Sequence, residues 1–460
     1  MNPNARKAFL PGLLLALAGC ASVSPREPFE QVAKEVAARG APALHWDQGT
    51  PADEEVRAHI RELVRGVLGP ETAVEVALLR NQGLVATYEE LGIAQADLVQ
   101  AGLLRNPSVG ARVRFPAGGG PLATDFSIAQ DFLELFTLPL RKRVASAQLD
   151  ASKARVAGAV LELAAQVRQA VVALQAAQAT AQMRKLVLDA QAAATELRKR
   201  QRAAGNVGEL DLLQEEAFFQ QGTLEVARAE AQVLDDREHV NRLLGLWGEE
   251  SASWRVDATL APLPAEDPDL AHVESLAVTQ RQDLAAARSE HLALEEAASL
   301  SGVTRVFPAI QASVSTERDA EGHRVTGPGI SLELPLFDQG QARVARVRAQ
   351  LRQAQAREEE LAVNIRAEVR TLRNRLTSAR AIAEHYRKVL LPLRERLVKE
   401  AQLRYNAMFT GVFQLLLSRR EQIDAYRDYL EATRDYWTAR ISLERAAGGS
   451  LSQSHVKERP

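Results

Sequence analysis

The sequence predicts a mainly α-helical protein that also contributes β-strands to a membrane barrel. Three features of the 460 residues predict this: long alanine-rich helical patterns, four short strands of alternating polarity, and an order of elements that occurs twice. The repeated unit is helix, strand, strand, long helix, turn, helix. Pro107 and Pro308 hold matching places in the two copies, as do Gly245 and Gly448. A duplication of this kind predicts the same fold in both halves.

The first residues read as a targeting segment. Arg6 and Lys7 precede an apolar run, residues 8–18, that is too short to cross a bilayer. The run ends in Leu-Ala-Gly-Cys, which resembles a bacterial lipobox, and Cys20 is the only cysteine. Residues 1–19 are therefore predicted to be a lipoprotein signal peptide and Cys20 a lipidated N-terminus, with an incidental thiol as the alternative. By resemblance to bacterial lipoproteins, the Ala that follows Cys20 favours the outer membrane.

The rest of the chain divides at its Pro- and Gly-rich breaks. No apolar run of span length is evident, so no transmembrane helix is expected. The predicted parts are an extended N-terminal arm, residues 20–70; a first repeat, 71–248; a linker, 249–271; a second repeat, 272–448; and a tail, 449–460. Within the repeats, strands are predicted at about 108–116, 122–131, 309–317 and 326–334, and helical hairpins at 140–245 and 340–447. The long helices carry apolar residues at heptad spacing, which predicts close helix packing.

The four strands have the length that a tilted strand needs to cross a bilayer, roughly nine to eleven residues. One face of each is apolar, and the other carries the pore-lining candidates Arg112, Arg114, Asp125, Glu317 and Glu333. Apolar-out and polar-in is the pattern of a membrane barrel with a wet lumen. Four strands cannot close a barrel, and open edges are not tolerated in lipid, so several chains must share one. The alternative is that each hairpin packs on the surface of a soluble helical protein.

Several motifs resemble those of the TolC-type outer-membrane factors, over roughly residues 70 to 448. They are Asn106-Pro107, Gly205–Leu212, Arg281–Leu284, Phe307–Ile310, Pro335–Gly340, Gly411-Val412 and Asp435–Trp437. The resemblance implies a homotrimer with a twelve-stranded barrel in outer-membrane lipid and a helical periplasmic tunnel. It also implies a passive exit duct that docks on a periplasmic adaptor (membrane fusion) protein and an inner-membrane RND-type pump.

The resemblance places the tip of the tunnel at the two helical turns, residues 203–211 and 405–414. The docking candidates there are Gly205, Gly208, Glu209, Asp211, Gly411 and Gln414. Plain turn chemistry is the alternative, because glycines satisfy helix ends whether or not anything docks. Some members close the aperture with acidic residues after the second turn. Gln414 and Leu417 stand there in this chain, which puts an acidic gate in doubt.

Other functional classes find little support in the sequence. The net charge of −2 gives no reason to expect nucleic acid as a partner, and the eight histidines have no metal-ligand spacing. No catalytic residue, metal site or cofactor is predicted; a lipoprotein that cleaves glycosides or peptides is the enzyme alternative. A soluble coiled-coil periplasmic adaptor is the interaction alternative. The segments 132–143 and 408–420 are similar to members associated with heavy-metal or copper efflux, while drugs or a type I secreted peptide stay open as cargo.

Overall fold

The computed structural model describes residues 23–115, 122–306, 309–318 and 322–451. Cys20, the predicted signal peptide, the turn 116–121, Phe307-Pro308 and the end of the tail lie outside this part. The described helices are α1 Arg26–Ala37, α2 Pro51–Val64, α3 Pro70–Arg80, α4 Gln82–Ala101, α5 Leu133–Ala203, α6 Glu209–Leu244, α7 Glu249–Ser253, α8 Val273–Gln280, α9 Gln282–Val306, α10 Gln341–His385, α11 Leu391–Asn406 and α12 Val412–Ala446. The strands are β1 Ser108–Arg114, β2 Ala123–Asp131, β3 Ile310–Arg318 and β4 Arg324–Leu332.

The prediction that residues 20–70 form an extended arm is wrong for the two segments that fold into helices α1 and α2. Val32 and Val36 are buried on one face of α1 and Phe29 is half-buried beside them, the spacing of an amphipathic helix. Helix α2 begins after Thr50, where the Asp53 side chain accepts a hydrogen bond from the Thr50 backbone N–H. This capping box stabilises the start of α2. The helix was not predicted because the Pro- and Gly-rich residues on both sides favour an extended chain.

The first long helix begins earlier than predicted. Residue 140 was the expected start, but α5 begins at Leu133, whose backbone N–H donates to Asp131 Oδ1 at 2.9 Å. Pro139 therefore lies inside the helix, near its N-terminal end. The predicted seam is confirmed, since Val156, Val160, Val167 and Leu174 are fully buried.

Helix α5 has the length and composition of a membrane-spanning helix, although no apolar run of span length was expected. By length and composition it is the one described helix that could cross a membrane, and half of its most apolar window is buried inside the chain. Alanine accounts for both properties, because it raises the mean hydropathy and lets neighbouring helices pack closely.

The chain divides into two compact units. Among the described residues, the first comprises 23–32, 88–115, 122–156, 283–306, 309–318 and 322–360, and the second comprises 33–87, 157–282 and 361–451. Each unit therefore takes segments from both sequence repeats. The first unit contains the sheet, and the second contains both helical turns and buried Trp254 and Tyr436.

The sheet of the first unit is a four-stranded antiparallel meander in the order β1-β2-β3-β4. The predicted hairpins β1–β2 and β3–β4 are present, and β2 pairs with β3 to join them. Strands β1 and β4 are left as edges among the described residues.

In the second unit, the same local structure occurs once per repeat. Gly245 ends α6 with φ +69° and lies against the backbone of Arg80 and Asn81, where α3 gives way to α4. Gly448 follows α12 with φ +90° and lies against Gln280, where α8 gives way to α9. The duplication inferred from sequence spacing is thus a structural repeat.

The second repeat differs from the first in the middle of its long helix. A π-helical turn, Tyr386–Leu390, separates α10 from α11, whereas α5 is α-helical throughout. Pro392 lies just after the turn, where its missing N–H is tolerated. Sequence periodicity did not reveal this turn.

Candidate functional site: a one-sided sheet and two helical turns

Strand register places the predicted pore-lining residues on one face of the sheet. Arg112 pairs with Asp125, and Asp125 pairs with Glu317, so the three form a row across β1, β2 and β3. Arg114 lies on the same face, two residues beyond Arg112. Glu333 follows β4 and continues the alternation, its N–H donating to Ala309 O at 3.3 Å.

Two further rows on this polar face contain only glycine, alanine and serine. The rows are Gly110, Ser127, Ser315 and Gly327, and Ser108, Ala129, Ser313 and Gly329. Side chains here approach closely: a Cβ on Gly110 would meet Ser127 Oγ at 2.7 Å, and one on Gly329 would meet Ser313 Oγ at 2.8 Å. Small side chains leave room in front of this face.

The opposite face of the sheet is apolar and exposed. Its members include Val109, Val113, Phe126, Ile128, Val314, Ile330 and Leu332, all of them exposed large hydrophobic residues. Ile330, for example, is 82% exposed. A contiguous apolar surface of this kind is uncommon on a soluble monomer and marks a contact with lipid or protein.

Further exposed apolar residues lie where strands give way to helices. Phe132 and Phe136 are exposed at the start of α5, and Phe337 is 95% exposed after β4. Between the two phenylalanines, Glu134 is buried and accepts a hydrogen bond from the Arg105 backbone N–H at 3.0 Å. The i, i+4 spacing of Phe132 and Phe136 indicates this exposed face in the sequence, but it was not among the predicted features.

The first helical turn is built by glycine and one aspartate. Gly205 ends α5 with φ +75°, and Gly208 is the N-cap of α6. Asp211 Oδ2 accepts the Gly208 N–H at 3.1 Å, so this carboxylate is occupied as a cap. Glu209 is exposed in the first helical turn, where negative charge favours the helix N-terminus.

The second helical turn presents apolar side chains instead. Met408 has φ +58° and is 93% exposed, and Phe409 beside it is also exposed. Gly411 is the N-cap of α12, and Gln414 is exposed one turn later. Sequence analysis selected this segment for its glycine and missed its exposed methionine and phenylalanine.

The two hairpins of one chain contact each other beyond these turns. The Arg420 guanidinium carbon lies 4.7 Å from the ring centroid of Phe218, so α12 meets α6 through a cation–π contact. Phe218 follows the first turn, and Arg420 the second, at nearly the same sequence distance, so both turns lie at one end. Near Phe218, burial raises the pKa of the Glu215 carboxyl, and Arg198 opposes that rise.

Within the described ranges, no group of three or more histidine, cysteine, aspartate or glutamate side chains could hold a metal ion. The candidate functional site consists of two surfaces, a one-sided sheet with open edges and a pair of exposed helical turns.

Several known proteins are similar to this chain in sequence or in fold. No family model matches the chain. The cobalt-zinc-cadmium resistance protein CzcC of Cupriavidus metallidurans is 25% identical over 399 residues, which cover 83% of this chain and 90% of CzcC. The outer membrane protein VceC of Vibrio cholerae superposes with a TM-score of 0.69 at 16% identity, covering 86% of this chain and 98% of VceC. CusC, whose structures describe transmembrane channel formation, gives a TM-score of 0.68 at 18% identity, covering 83% and 92%.

The chain has the outer-membrane-factor fold. The structural likenesses carry this statement, because they extend over most of each chain. The resemblance to the TolC-type family drawn from the motifs is confirmed, and so is the predicted fold class.

Proposed function

We propose that this outer-membrane factor is the exit duct of a tripartite efflux system and passively conducts its cargo across the outer membrane. The observation that carries the proposal is the sheet, with one exposed apolar face, one polar face and two unpaired edge strands. Such a sheet is stable in hydrocarbon only when its edges are paired, because unpaired backbone groups have no partners there. Three copies in a homotrimer would pair β1 of one chain with β4 of the next and give a twelve-stranded barrel.

The proposed partners follow from the two exposed turns. A periplasmic adaptor protein would dock on them, and an inner-membrane RND-type pump would supply the energy. Met408 and Phe409 offer an apolar contact at the second turn, and Gly205 adopts the left-handed backbone that turns the chain at the first. Exposed apolar side chains of this size favour a protein contact over solvent.

The proposed cargo is a heavy-metal cation. Similarity to CzcC over most of both chains supports divalent metals such as cobalt, zinc or cadmium. The resemblance of segments 132–143 and 408–420 to members associated with heavy-metal or copper efflux adds copper. The alternative cargoes are drugs and a type I secreted peptide, because outer-membrane channels of several species share this fold.

Lipid attachment at Cys20 stays a prediction. Acyl chains on the mature N-terminus would add a tether of about 0.8 kcal/mol per buried CH₂ group. Cys20→Ser should abolish labelling of the protein by a radioactive fatty acid, and labelling that persists in this variant would rule the anchor out.

The duct is tested by function in cells and in bilayers. In a host that has the cognate adaptor and pump but no duct, the chain should restore tolerance to zinc, cobalt and cadmium. Purified protein should add ion conductance to a planar bilayer. Tolerance that is equally restored to drugs and not to metals would favour the alternative cargo, and a protein without conductance would refute the duct.

A double variant of the second helical turn tests whether the adaptor docks there. Met408→Asp combined with Phe409→Asp places two charges on the second turn and should abolish tolerance, because a partner would have to bury them. The amount of protein in the outer membrane is the control and should match the parent. Full tolerance in this double variant would exclude the second turn as a docking surface.

A further inference from the structure

The polar face of the sheet has charged side chains near both strand ends, with Asp131 and Glu333 at the end that joins the helices. Arg112, Arg114, Asp125 and Glu317, here called the charged row, lie at the end of the strands near the β1–β2 and β3–β4 turns. The next two rows contain only glycine, alanine and serine, and β4 has Val325 at the level of Glu317. Arg318 and Arg324 are paired across β3 and β4 on the opposite, apolar face.

The charged row is electrically balanced within one chain. It has two positive side chains on β1 and two negative side chains on β2 and β3. Arg114 faces Ala123, whose short side chain lets the guanidinium reach over β2, and Arg114 Nη1 lies 3.4 Å from Glu317 Oε1. Asp125 Oδ1 is buried and accepts no hydrogen bond from the described residues, so its charge acts on the space around it.

The position of the row follows from the connections of the strands. The helices join the strands at the end opposite to the β1–β2 and β3–β4 turns. In the proposed duct the helices are periplasmic, so the charged row lies at the outer mouth and every solute that leaves the barrel passes it. Rings of charged side chains set the ion preference of pores.

We propose that the charged row sets the ion preference of the barrel, and that its balanced charge lets small cations and small anions leave together. The proposal rests on the proposed duct and deepens it. A row of one sign would repel ions of the same sign, which are either the metal cation or the anions that accompany it. A balanced row, repeated in every copy around the lumen, gives no net field against either sign.

The test measures the local potential with a reporter thiol. Ser127→Cys places the thiol on the polar face of β2, one row further in than Asp125. Arg112 and Glu317 are both diagonal cross-strand neighbours of this position, at about 7–8 Å. Reaction rates with a cationic and an anionic methanethiosulfonate are compared in intact cells; the chain without the reporter, which has only Cys20, gives the background. Access from outside does not require the helical end to open.

Three variants are made in the reporter chain. Arg112→Gln should raise the ratio of cationic to anionic reaction rates about threefold, and Glu317→Gln should lower this ratio about threefold. Both values refer to an ionic strength of about 0.1 M, where the Debye length is about 10 Å. Both shifts should shrink at about 1 M salt, where the Debye length is about 3 Å. Arg318→Gln is the matched control: it makes the same chemical change next to Glu317, but on the apolar face, and should leave the ratio unchanged. If Arg112→Gln does not reach the membrane, Arg114→Gln should give the same sign.

The outcomes separate this inference from the duct itself. A reactive thiol whose ratio is equal in all variants overturns the charged row and leaves the duct standing. A shift with Arg318→Gln as large as that with Arg112→Gln also overturns it. A thiol that reacts with neither reagent means that the polar face does not line water, and then both proposals fail.

Discussion

At the scale of single residues, the second unit is held together by carboxylates that bind more than one partner. Glu368 of α10 accepts hydrogen bonds from Arg281 and from Arg445, and Arg445 also pairs with Glu162 at 3.3 Å. Burial raises the pKa of Glu368, but the hydrogen bonds and charges of the two arginines outweigh it, so the pKa lies below its ordinary value. One carboxylate thus joins three segments of the chain.

Glu368→Gln should therefore destabilise the fold by about 1–3 kcal/mol, because two guanidinium groups lose a charged acceptor. A folded-state pKa below the ordinary value of 4.5 means that this stabilisation is present above that pH and is lost as the pH falls below it. Thermal unfolding of the parent and the variant should differ at pH 7, and the difference should shrink as the pH falls below 4.5. Glu360→Gln, an exposed change on the same helix, is the control and should have little effect.

Asp53 is a second residue whose ionisation matters. Burial opposes its charge, but the Thr50 backbone N–H, His45 and the Thr50 hydroxyl lower its pKa to about 2. His45 Nε2 lies 2.5 Å from Asp53 Oδ1. The charged carboxylate therefore fixes the start of α2.

In Asp53→Asn, hydrogen–deuterium exchange of α2 should be faster than in the parent at pH 7. Because the folded-state pKa is depressed, the difference should persist above 3.8 and disappear as the pH falls towards about 2. Glu55→Gln, exposed on the same helix, should exchange like the parent. A difference of the same size at every pH would contradict the assigned role of the charge.

At the scale of elements, the fold depends on how helix ends meet helix breaks. A Cβ on Gly448 would lie 2.9 Å from the Gln280 backbone carbon, and its φ of +90° is unfavourable for any side chain. The corresponding contact of Gly245 with Arg80 and Asn81 is slightly looser, at 3.3 Å. These contacts fix where each helical hairpin returns to the shorter helices of its repeat.

Gly448→Ala should cost about 1–3 kcal/mol, since it combines a left-handed backbone with overpacking against a main chain that cannot move aside. Gly302→Ala is the opposite case: it lies inside α9 with open space around it and should stabilise by about 0.4–1 kcal/mol. Denaturant unfolding of both variants measures the contrast. Equal effects of the two substitutions would argue against the packing role of Gly448.

Element boundaries show what local sequence can and cannot supply. The strands lie within two residues of their predicted bounds at each end, because alternation is a property of consecutive residues. The seam of the second long helix is also as expected: Ile365, Leu372 and Leu376 are buried, and the exception Glu358 pairs with His291 at 2.9 Å. The π-helical turn and helices α1 and α2 were not predicted; the Pro- and Gly-rich sequence around α1 and α2 was interpreted as an extended arm.

At the scale of the whole molecule, a single chain leaves its sheet incomplete. Both edges are unpaired in the described structure, and the apolar face has no cover within the chain. Lipid outside and water inside would satisfy the two faces only after several copies have closed the ring.

This arrangement predicts a contrast between neighbouring residues on β1. Arg112→Cys should react with a membrane-impermeant thiol reagent in intact cells, because its side chain lies on the polar face. Val113→Cys lies on the apolar face and should be shielded by lipid. Equal reactivity of the two thiols would count against the barrel.

The sequence alone determined the duplication, the one-sided strands and the places of the two helical turns, because each of these depends on residues close together along the chain. Tertiary structure decided that β2 pairs with β3, that Arg114 reaches Glu317, and that Glu368 joins Arg281 to Arg445. Periodicity states which face of an element is apolar or charged. It does not state which distant element that face meets, since the choice depends on packing and electrostatics summed over the folded chain.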